Sequence, residues 1–348
     1  MKPLRVLIVE DSLTVRKRLC EIVQADPQLT LVGEAEDGKQ AIEQCLALRP
    51  DIVSLDMMLP QMSGLAVTEY LMAYCPTPIL IVSSSFNRGE LFRTYEALAA
   101  GALEAIDKPA ADAINGHWER HFVAMIKLVA RVKVITHLRG RRAEGQSNPR
   151  PTTVLRPRAS AACTLIAIGA STGGPHAVVE VLRALPHPCP LPILIVLHLN
   201  EAFGAGFAEW LDGQTPHAVR FAPDGGPLTR GVWLAPPGRH LIVEQQNMAL
   251  RDNPERHSCR PSVDVLFESL ARTCGAKTAA CLLTGMGQDG AQGLLAIRQT
   301  GGLTIAQDEA SSVVYGMPRE AALLNAAELI LPLGEIGPRL ALETVGRK

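Results

Sequence analysis

Short apolar runs alternate with helix-like stretches along the N-terminal third of the chain, and this alternation is the feature that most constrains the fold. The apolar runs lie at 4–9, 52–55, 79–82 and 103–106, and the helix-like stretches at 14–24, 40–48, 65–74 and 90–100. Strands that alternate with helices pair in parallel, with helices on both faces of the sheet. The N-terminal part therefore predicts a doubly wound parallel α/β sheet.

Further apolar runs in the C-terminal part predict a second parallel sheet. They lie at 165–168, 192–197 and 279–284, and such continuous apolar runs are typical of strands buried on both faces. Between the two parts, periodicity gives way to Gly, Pro, Ser and Arg, which is typical of a linker. The sequence thus predicts two α/β domains, 1–125 and 161–348, joined by a linker at 139–160, with 111–138 compatible with one long helix.

A glycine-rich turn follows the strand predicted at 165–168. It reads Gly169-Ala170-Ser171-Thr172-Gly173-Gly174-Pro175, which matches the G-x-S-x-G pattern that lifts a serine nucleophile out of a sheet. Proline suits the first turn of the helix that would follow. A phosphate-binding loop and a plain tight turn stay open as alternatives, although no lysine follows as a P-loop requires.

A base and an acid follow the other two strands of this part. His198 comes directly after the strand at 192–197, and Asp289 lies in the glycine-rich turn after 279–284. Because the carboxyl ends of parallel strands meet at one edge of a sheet, we expect both side chains near Ser171, as a catalytic triad. His176 is a rival base, but it is expected on the helix after Ser171, pointing away. Taken singly, His198 is better interpreted as an ordinary strand-end residue and Asp289 as a turn residue or helix cap; only their joint placement favours the triad.

Polar side chains also follow the strands of the N-terminal part. Glu10 and Asp11 end the first strand, Asp56 the strand at 52–55, Ser83 the next, and Lys108 the last. Three crowded carboxylates repel one another unless a divalent cation neutralises them, and oxygen ligands suit Mg²⁺. We expect Asp56 to accept a phosphoryl group, with Lys108 as counter-charge and Ser83 bonding the added oxygens. The alternative is that these acids merely cap helices.

Composition favours an ordinary cytoplasmic globular protein. The chain has 348 residues, 47% of them hydrophobic, and a formal net charge of −1, so the sequence predicts no nucleic-acid partner. The N-terminus has no signal-peptide profile, and no apolar run approaches the roughly 20 residues of a membrane span. The eight cysteines form no C-x-x-C pair, so we expect them to be reduced and the protein to lie in the cytoplasm, without membrane insertion.

Several runs together resemble a known family along nearly the whole chain. They are Val9-Glu10-Asp11-Ser12, Leu55-Asp56-Met57-Met58-Leu59-Pro60, Val82-Ser83-Ser84, Lys108-Pro109, the 169–175 turn, Arg260-Pro261-Ser262-Val263-Asp264, Leu283-Thr284-Gly285-Met286-Gly287-Gln288-Asp289-Gly290 and Tyr315-Gly316-Met317-Pro318-Arg319. Residues 1 to about 125 resemble a flavodoxin-like response-regulator receiver domain. Residues from about 160 to 345 resemble the Rossmann-like catalytic domain of the chemotaxis protein-glutamate methylesterases, the CheB family.

The resemblance implies a phosphorylation-activated serine hydrolase that demethylates glutamyl methyl esters on the cytoplasmic helices of chemoreceptors and deamidates receptor glutamines. A histidine kinase would supply the phosphoryl group, Mg²⁺ would bind the receiver, and the catalytic site would need no cofactor. The residues it assigns are the triad Ser171, His198 and Asp289; the backbone amides of Thr172 and Met286 for the oxyanion; Glu10, Asp11, Asp56 and Met58 for Mg²⁺; and Arg260 for substrate positioning.

The chain departs from the family pattern at four positions. Leu197 and Leu199 flank His198 where Gln and Met are usual, Ser63 replaces an Asp, and Ala105 occupies a commonly aromatic receiver position. Two other functions stay open, the first of them because the neighbours of His198 are changed. One is a non-catalytic regulator whose hydrolase-like domain only docks a partner, and the other is an esterase acting on a substrate other than a receptor.

Overall fold

Two parallel sheets organise the chain, one in each of the units formed by residues 1–144 and 145–348. The computed structural model describes residues 2–84, 87–109, 116–132, 134, 163–199 and 201–345. The linker predicted at 139–160 lies outside these described residues. Each unit has the α/β alternation that the apolar pattern predicts, and its strands are largely buried because helices cover the sheet.

The N-terminal unit has a five-stranded parallel sheet in the order β2-β1-β3-β4-β5. Its strands are β1 (Leu4–Val9), β2 (Leu29–Ala35), β3 (Ile52–Leu55), β4 (Ile79–Ser83) and β5 (Glu104–Asp107). Its helices are α1 (Leu13–Ala25), α2 (Gly38–Leu48), α3 (Gly64–Tyr74), α4 (Arg88–Ala100) and α5 (His117–Val129). The strand order reverses at β1, so the carboxyl ends of β1 and β3 form the crevice where such sheets bind ligands.

Two features of this unit differ from the sequence prediction. Strand β2 was not predicted, because Thr30, Gly33 and Glu34 interrupt its apolar residues, and its middle is only half-buried at the edge of the sheet. The single helix expected over 111–138 is wrong in its extent: α5 covers His117–Val129, and residues 130–132 form a turn. Its buried residues are Phe122, Ile126 and Val129, so the last buried residue is also the last residue of the helix.

The C-terminal unit has a seven-stranded parallel sheet in the order β14-β13-β12-β6-β7-β9-β8, and a separate antiparallel hairpin, β10-β11. Its strands are β6 (Leu165–Ala170), β7 (Pro192–Leu197), β8 (Val219–Phe221), β9 (Gly231–Leu234), β10 (His240–Glu244), β11 (Asn247–Arg251), β12 (Thr278–Leu282), β13 (Leu303–Gln307) and β14 (Leu329–Leu331). Its helices are α6 (Gly174–Ala184), α7 (Glu201–Gly204), α8 (Phe207–Gln214), α9 (Val263–Thr273), α10 (Ala291–Gln299), α11 (Met317–Leu323) and α12 (Leu333–Leu342).

The middle of this sheet positions the site. The chain leaves β6 toward β7 on one side and later returns to β12 on the other, so the order reverses between β6 and β12. Ala170 pairs with Leu197 across β6 and β7, and Gly169 with Leu282 across β6 and β12. The residues after these three strands therefore meet at one edge of the sheet, at the switch point where open α/β sheets bind ligands.

None of the helices that the structure describes combines the length and the apolar character needed to cross a bilayer.

Candidate active site and receiver acidic site

Ser171 lies in the tight connection between β6 and α6. Its N–H donates to the Thr284 carbonyl at 3.0 Å, and its own carbonyl accepts from Gly174 N–H at 2.6 Å. Gly173 has φ +77°, a conformation that a residue with a side chain rarely adopts. Pro175 stands in the first turn of α6. The predicted strand, glycine turn and helix are present, and the turn holds Ser171 at the end of the buried strand.

The turn after β12 packs directly against Ser171. A Cβ added at Gly285 would stand 2.8 Å from Ser171 Cβ and would also overlap Met317 Sδ. The hydroxyl of Thr284 donates to the Thr172 carbonyl at 3.0 Å and accepts from Val314 N–H at 2.9 Å. Glycine at 285 therefore allows the close approach that places this turn beside the serine.

His198 follows β7 and is adjacent to Ser171. Its backbone N–H donates to the Ala170 carbonyl at 3.1 Å, so the two residues leave neighbouring strands side by side. Its ring Nε2 lies 2.9 Å from Asp289 Oδ2. When the ring is neutral and its Nε2–H donates to this carboxylate, the lone pair lies on Nδ1, which is then the nitrogen that can accept a proton.

Asp289 is buried and held at the N-terminus of α9. Its carboxylate accepts from Ser262 Oγ at 2.7 Å, from Val263 N–H at 2.7 Å and from Asp264 N–H at 3.1 Å. Burial would raise the pKa of Asp289, but the bond from His198 and these donors outweigh it and keep the pKa below its ordinary value. The helix N-terminus stabilises the negative charge as well, so Asp289 is an ionised and fixed partner for the imidazole.

The environment of His198 favours its charged form. Burial alone would lower the pKa of the imidazole, yet the bond to Asp289 and the nearby Cys259 thiol raise it to about 9. Cys259 Sγ lies 3.6 Å from His198 Nδ1, the nitrogen that Asp289 leaves unoccupied. Proton uptake by His198 is therefore strongly favoured once a nucleophile loses its proton.

The Ser171 hydroxyl forms no hydrogen bond within the described part of the chain. Its neighbour at the next strand end, His198, has Nδ1 near Cys259 instead. Hydrogen bonds of a catalytic serine are often completed only when substrate is bound. The rival base His176 lies on α6, as expected, and its Nε2 is 3.3 Å from Glu180 on the same helix.

Two backbone amides beside Ser171 are available for an oxyanion. The N–H groups of Thr172 and Met286 donate to no other residue that the structure describes. Both belong to the turns that pack together around the serine. Unpaired amides at this position are the donors that a tetrahedral intermediate requires.

A pocket of about 420 Å³ opens beside the acid. Its lining residues are His257, Cys259, Met286, Gly287, Gln288, Asp289 and Glu320. Arg260 does not line this pocket: it is exposed, and its guanidinium lies 3.4 Å from the Asn253 carbonyl. Its role in positioning substrate stays a prediction.

Sequence reasoning missed three residues that support the triad. Ser262 caps α9 by accepting from Val265 N–H at 3.4 Å, and its hydroxyl donates to Asp289 Oδ1 at 2.7 Å. Asp264 supplies an amide to Asp289, and its own buried carboxylate accepts from Gly293 N–H at 2.7 Å. Cys259 touches the imidazole. The available signal was the run from Ser262 to Asp264, which begins a helix and so offers amides to an anion.

We expect Ser262→Ala to lower kcat about tenfold, which corresponds to about 1.4 kcal/mol in the activation barrier. The hydroxyl both caps α9 and donates to Asp289, so its loss also lowers the free energy of unfolding by about 1 kcal/mol. Ser63→Ala is the matched control, because Ser63 caps α3 through Ala66 N–H at 3.3 Å and has no link to Asp289. Thermal unfolding and ester hydrolysis are measured for both variants. If kcat fell equally in Ser262→Ala and Ser63→Ala, the bond from Ser262 to Asp289 would not be the cause of the loss.

The acidic groups predicted in the N-terminal unit meet at the carboxyl ends of β1 and β3. Lys108 Nζ lies 2.9 Å from Asp56 Oδ2 and 3.0 Å from Glu10 Oε1. Glu10 and Asp56 are buried, whereas Asp11 is exposed. Carboxylate oxygens of all three acids lie within 4.8 Å of one another. The lysine thus neutralises part of a dense negative cluster.

This cluster has the donor set for a hard divalent cation. Burial, followed by repulsion from Asp56, raises the pKa of Glu10 to about 7, and burial raises the pKa of Asp56. Buried Glu10 Oε2 accepts no hydrogen bond from a described residue. A cation beside it would satisfy this oxygen and stabilise both ionised carboxylates, so the residues present fit Mg²⁺.

Two other residues near this cluster have partners of their own. The buried Ser83 hydroxyl donates to Glu90 Oε1 at 2.6 Å, at the start of α4. Met58 is partly exposed, and its sulfur lies 3.3 Å from the Arg93 guanidinium.

Two positions that depart from the family pattern also lie in this unit. Ala105 is buried within β5, so no aromatic ring occupies that position. Ser63, where an Asp is usual, keeps a helix-capping role.

The family models assign both units. Residues 166–340 match the model described as CheB methylesterase, and residues 6–115 match the model described as response regulator receiver domain. The chain belongs to the CheB methylesterase family. The assignment agrees with the two α/β folds and with the order of the two domains.

Curated relatives span the whole chain. A protein-glutamate methylesterase/protein-glutamine glutaminase of Anaeromyxobacter dehalogenans is 42% identical over 343 residues, covering 98% of this chain and 97% of the relative. A protein of the same name from Pseudomonas aeruginosa is 44% identical over 352 residues, covering 99% and 98%. The catalytic domain of Thermotoga maritima CheB methylesterase is 33% identical, with a TM-score of 0.50, and covers 52% of this chain and 98% of that domain.

Proposed function

We propose that this CheB-family protein is a phosphorylation-activated serine hydrolase that removes methyl groups from glutamyl methyl esters of chemoreceptors and deamidates receptor glutamines. The observation that carries the proposal is the imidazole of His198, held by a buried carboxylate at 2.9 Å and placed one strand away from Ser171. The curated names of full-length relatives support the substrate class. The substrate groups would lie on the cytoplasmic helices of the receptors.

The proposed reaction is acyl transfer through the serine. Ser171 Oγ attacks the side-chain ester carbonyl, and His198 Nδ1 takes the hydroxyl proton. The amides of Thr172 and Met286 hold the oxyanion. His198 then gives its proton to the departing methanol, and water hydrolyses the acyl-enzyme by the same route. Asp289 stays ionised throughout, because its donors stabilise the charge, and it stabilises the imidazolium.

The proposed gate is phosphorylation of Asp56 by a histidine kinase. Glu10, Asp11, Asp56 and the backbone carbonyl of Met58 would hold Mg²⁺, which when bound neutralises the charge of the incoming phosphoryl group. Lys108 already lies against the Asp56 carboxylate and would bond the added phosphoryl oxygens. Ser83 would exchange its bond to Glu90 for one to the phosphoryl group, which removes one of the two bonds to Glu90 Oε1 at the start of α4 and leaves the one from Ser84 N–H at 2.8 Å.

The decisive test is release of radioactive methanol from receptor membranes that carry labelled methyl esters. We expect release by the full-length protein and a higher rate with acetyl phosphate and Mg²⁺. Asp56→Asn should leave basal release in place and reduce the stimulation ratio to about 1, because a modification shifts activity only through the group that it modifies. Absence of release under every condition would favour the docking regulator, and release from small esters alone would favour a different substrate.

We expect kcat/KM to rise with pH with a midpoint near pH 9, rather than near the usual histidine pKa. The base must be neutral, and Asp289 and Cys259 raise the pKa of His198 to about 9, so the neutral fraction grows as the pH passes through that value. Initial rates on a soluble ester between pH 6 and 10 measure this. Cys259→Ala should move the midpoint to lower pH, and a midpoint near 6.5 in the parent would contradict the prediction.

A further inference from the structure

A second nucleophile stands at the catalytic base. Cys259 Sγ lies 3.6 Å from His198 Nδ1, and His198 Nε2 lies 2.9 Å from Asp289 Oδ2. Thiol, imidazole and carboxylate therefore lie in a row, with the roles of nucleophile, base and orienting acid, and the thiol also lies 3.4 Å from the His257 carbonyl. The base that the proposed esterase reaction assigns to Ser171 is thus in contact with a thiol.

The position of Cys259 separates it from the other cysteines. It is partly exposed and lines the pocket beside Asp289. Six other cysteines are buried: Cys20, Cys45, Cys75, Cys163, Cys189 and Cys281. Cys274 is also partly exposed, but its sulfur lies 3.6 Å from the Thr273 hydroxyl rather than beside a base. Exposure and an adjacent base together are what make a thiol reactive.

We propose that Cys259 is a modification site, a nucleophilic thiol that hydroperoxides oxidise to sulfenic acid and that closes the esterase site when oxidised. The inference rests on the proposed function, since it concerns the base of the same reaction. It adds to that function a redox sensitivity located in the catalytic pocket itself.

The oxidation needs only the peroxide and the groups in place. His198 Nδ1 takes the thiol proton, and the sulfur attacks one peroxide oxygen, so that an S–O bond forms as the O–O bond breaks. His198 returns the proton to the departing hydroxide, which leaves as water. The sulfur is oxidised by two electrons and the peroxide is reduced.

The product blocks ester hydrolysis for a geometric reason. The new hydroxyl stands between Cys259 Sγ and His198 Nδ1, where the two atoms are 3.6 Å apart before reaction. It donates a hydrogen bond to the nitrogen that must accept the Ser171 proton. A thiol reductant converts sulfenic acid back to the thiol and so restores the base.

The first test measures the rate of sulfenic acid formation at each cysteine, without any ester substrate. The full-length protein is treated with hydrogen peroxide, sulfenic acid is trapped with dimedone, and the labelled peptides are quantified by mass spectrometry. We expect Cys259 to be labelled at least about tenfold faster than Cys274, the matched exposed cysteine. His198→Gln should remove this excess and leave the rate at Cys274 unchanged. Equal rates at the two cysteines, or an excess that survives His198→Gln, would overturn the proposal.

The second test measures whether oxidation of Cys259 inhibits ester hydrolysis. Methanol release by the parent should fall in step with labelling of Cys259 and return with dithiothreitol. Cys259→Ala, measured against its own untreated rate, should keep most of its activity at the same peroxide dose. Equal inactivation of Cys259→Ala and the parent would show that another residue is responsible. Because labelling needs no ester substrate, a protein that labels at Cys259 but releases no methanol would contradict the esterase and not the reactive thiol.

Discussion

Ser171→Ala should abolish ester hydrolysis, with a fall in turnover on the order of 10⁴-fold or more. The hydroxyl is the proposed nucleophile, and it forms no hydrogen bond with any residue that the structure describes, so its removal leaves the turn intact. The N–H of residue 171 would still donate to the Thr284 carbonyl. Methanol release measures the loss, and thermal unfolding and phosphorylation of Asp56 should be unchanged.

Thr164→Ala serves as a control, because it removes an exposed hydroxyl just before β6, at the opposite end of that strand from Ser171. It should hydrolyse ester at the parent rate. If Ser171→Ala retained more than a tenth of the parent turnover, Ser171 would not be the nucleophile. A Ser171→Ala variant with a lowered melting temperature would instead show that the hydroxyl supports the turn.

Asp289→Asn should lower kcat on the order of 10⁴-fold while substrate still binds. The carboxylate accepts four hydrogen bonds, from His198, Ser262, Val263 and Asp264. An amide keeps one acceptor oxygen and presents an NH₂ group, so either the imidazole takes the wrong tautomer or a donor at the start of α9 meets another donor. Steady-state kinetics with KM and kcat measured separately check this.

The loss in Asp289→Asn should also change the pH profile. Without the carboxylate, the strongest influence that raises the pKa of His198 is gone, so the midpoint of the residual rate should lie below that of the parent. Asp264→Asn tests the neighbouring buried acid, whose side chain bonds Gly293 and His257 rather than His198. A larger kcat effect from Asp264→Asn than from Asp289→Asn would move the orienting role to Asp264.

The sequence predicted most of the architecture because the central strands carry strong local signals. The strands at 4–9, 52–55 and 192–197 match the observed bounds, since buried parallel strands are continuous apolar runs between polar turns. Strand β2 was not predicted because Thr30, Gly33 and Glu34 interrupt its apolar residues, so it has no continuous apolar run. The end of α5 was not predicted because no Gly or Pro directly follows Val129 to mark a helix end in the sequence.

The candidate site was predictable only in part, for a similar reason. Ser171, His198 and Asp289 could be predicted because each follows a predicted strand, and the topology of a parallel sheet brings the carboxyl ends of neighbouring strands together. The support from Ser262 and the contact of Cys259 depend on how α9 and the segment before it pack on the sheet. Likewise, Ser83 was expected to be ready for phosphoryl oxygens, but its hydroxyl is bound to Glu90, a partner seven residues along the chain.

The central pairing of β6 with β12 gives the site a particular place in folding. This pairing joins residues 165–169 to residues 278–282, so it closes a long stretch of intervening chain. Contacts between such distant segments form late, because the entropy of closing the loop is lost before the contacts compensate for it. Ser171 follows β6 and His198 follows β7, in the first of the two segments that this pairing joins, whereas Asp289 follows β12 in the second. Recovery of ester hydrolysis during refolding should therefore lag behind the return of helical circular dichroism and report closure of the sheet.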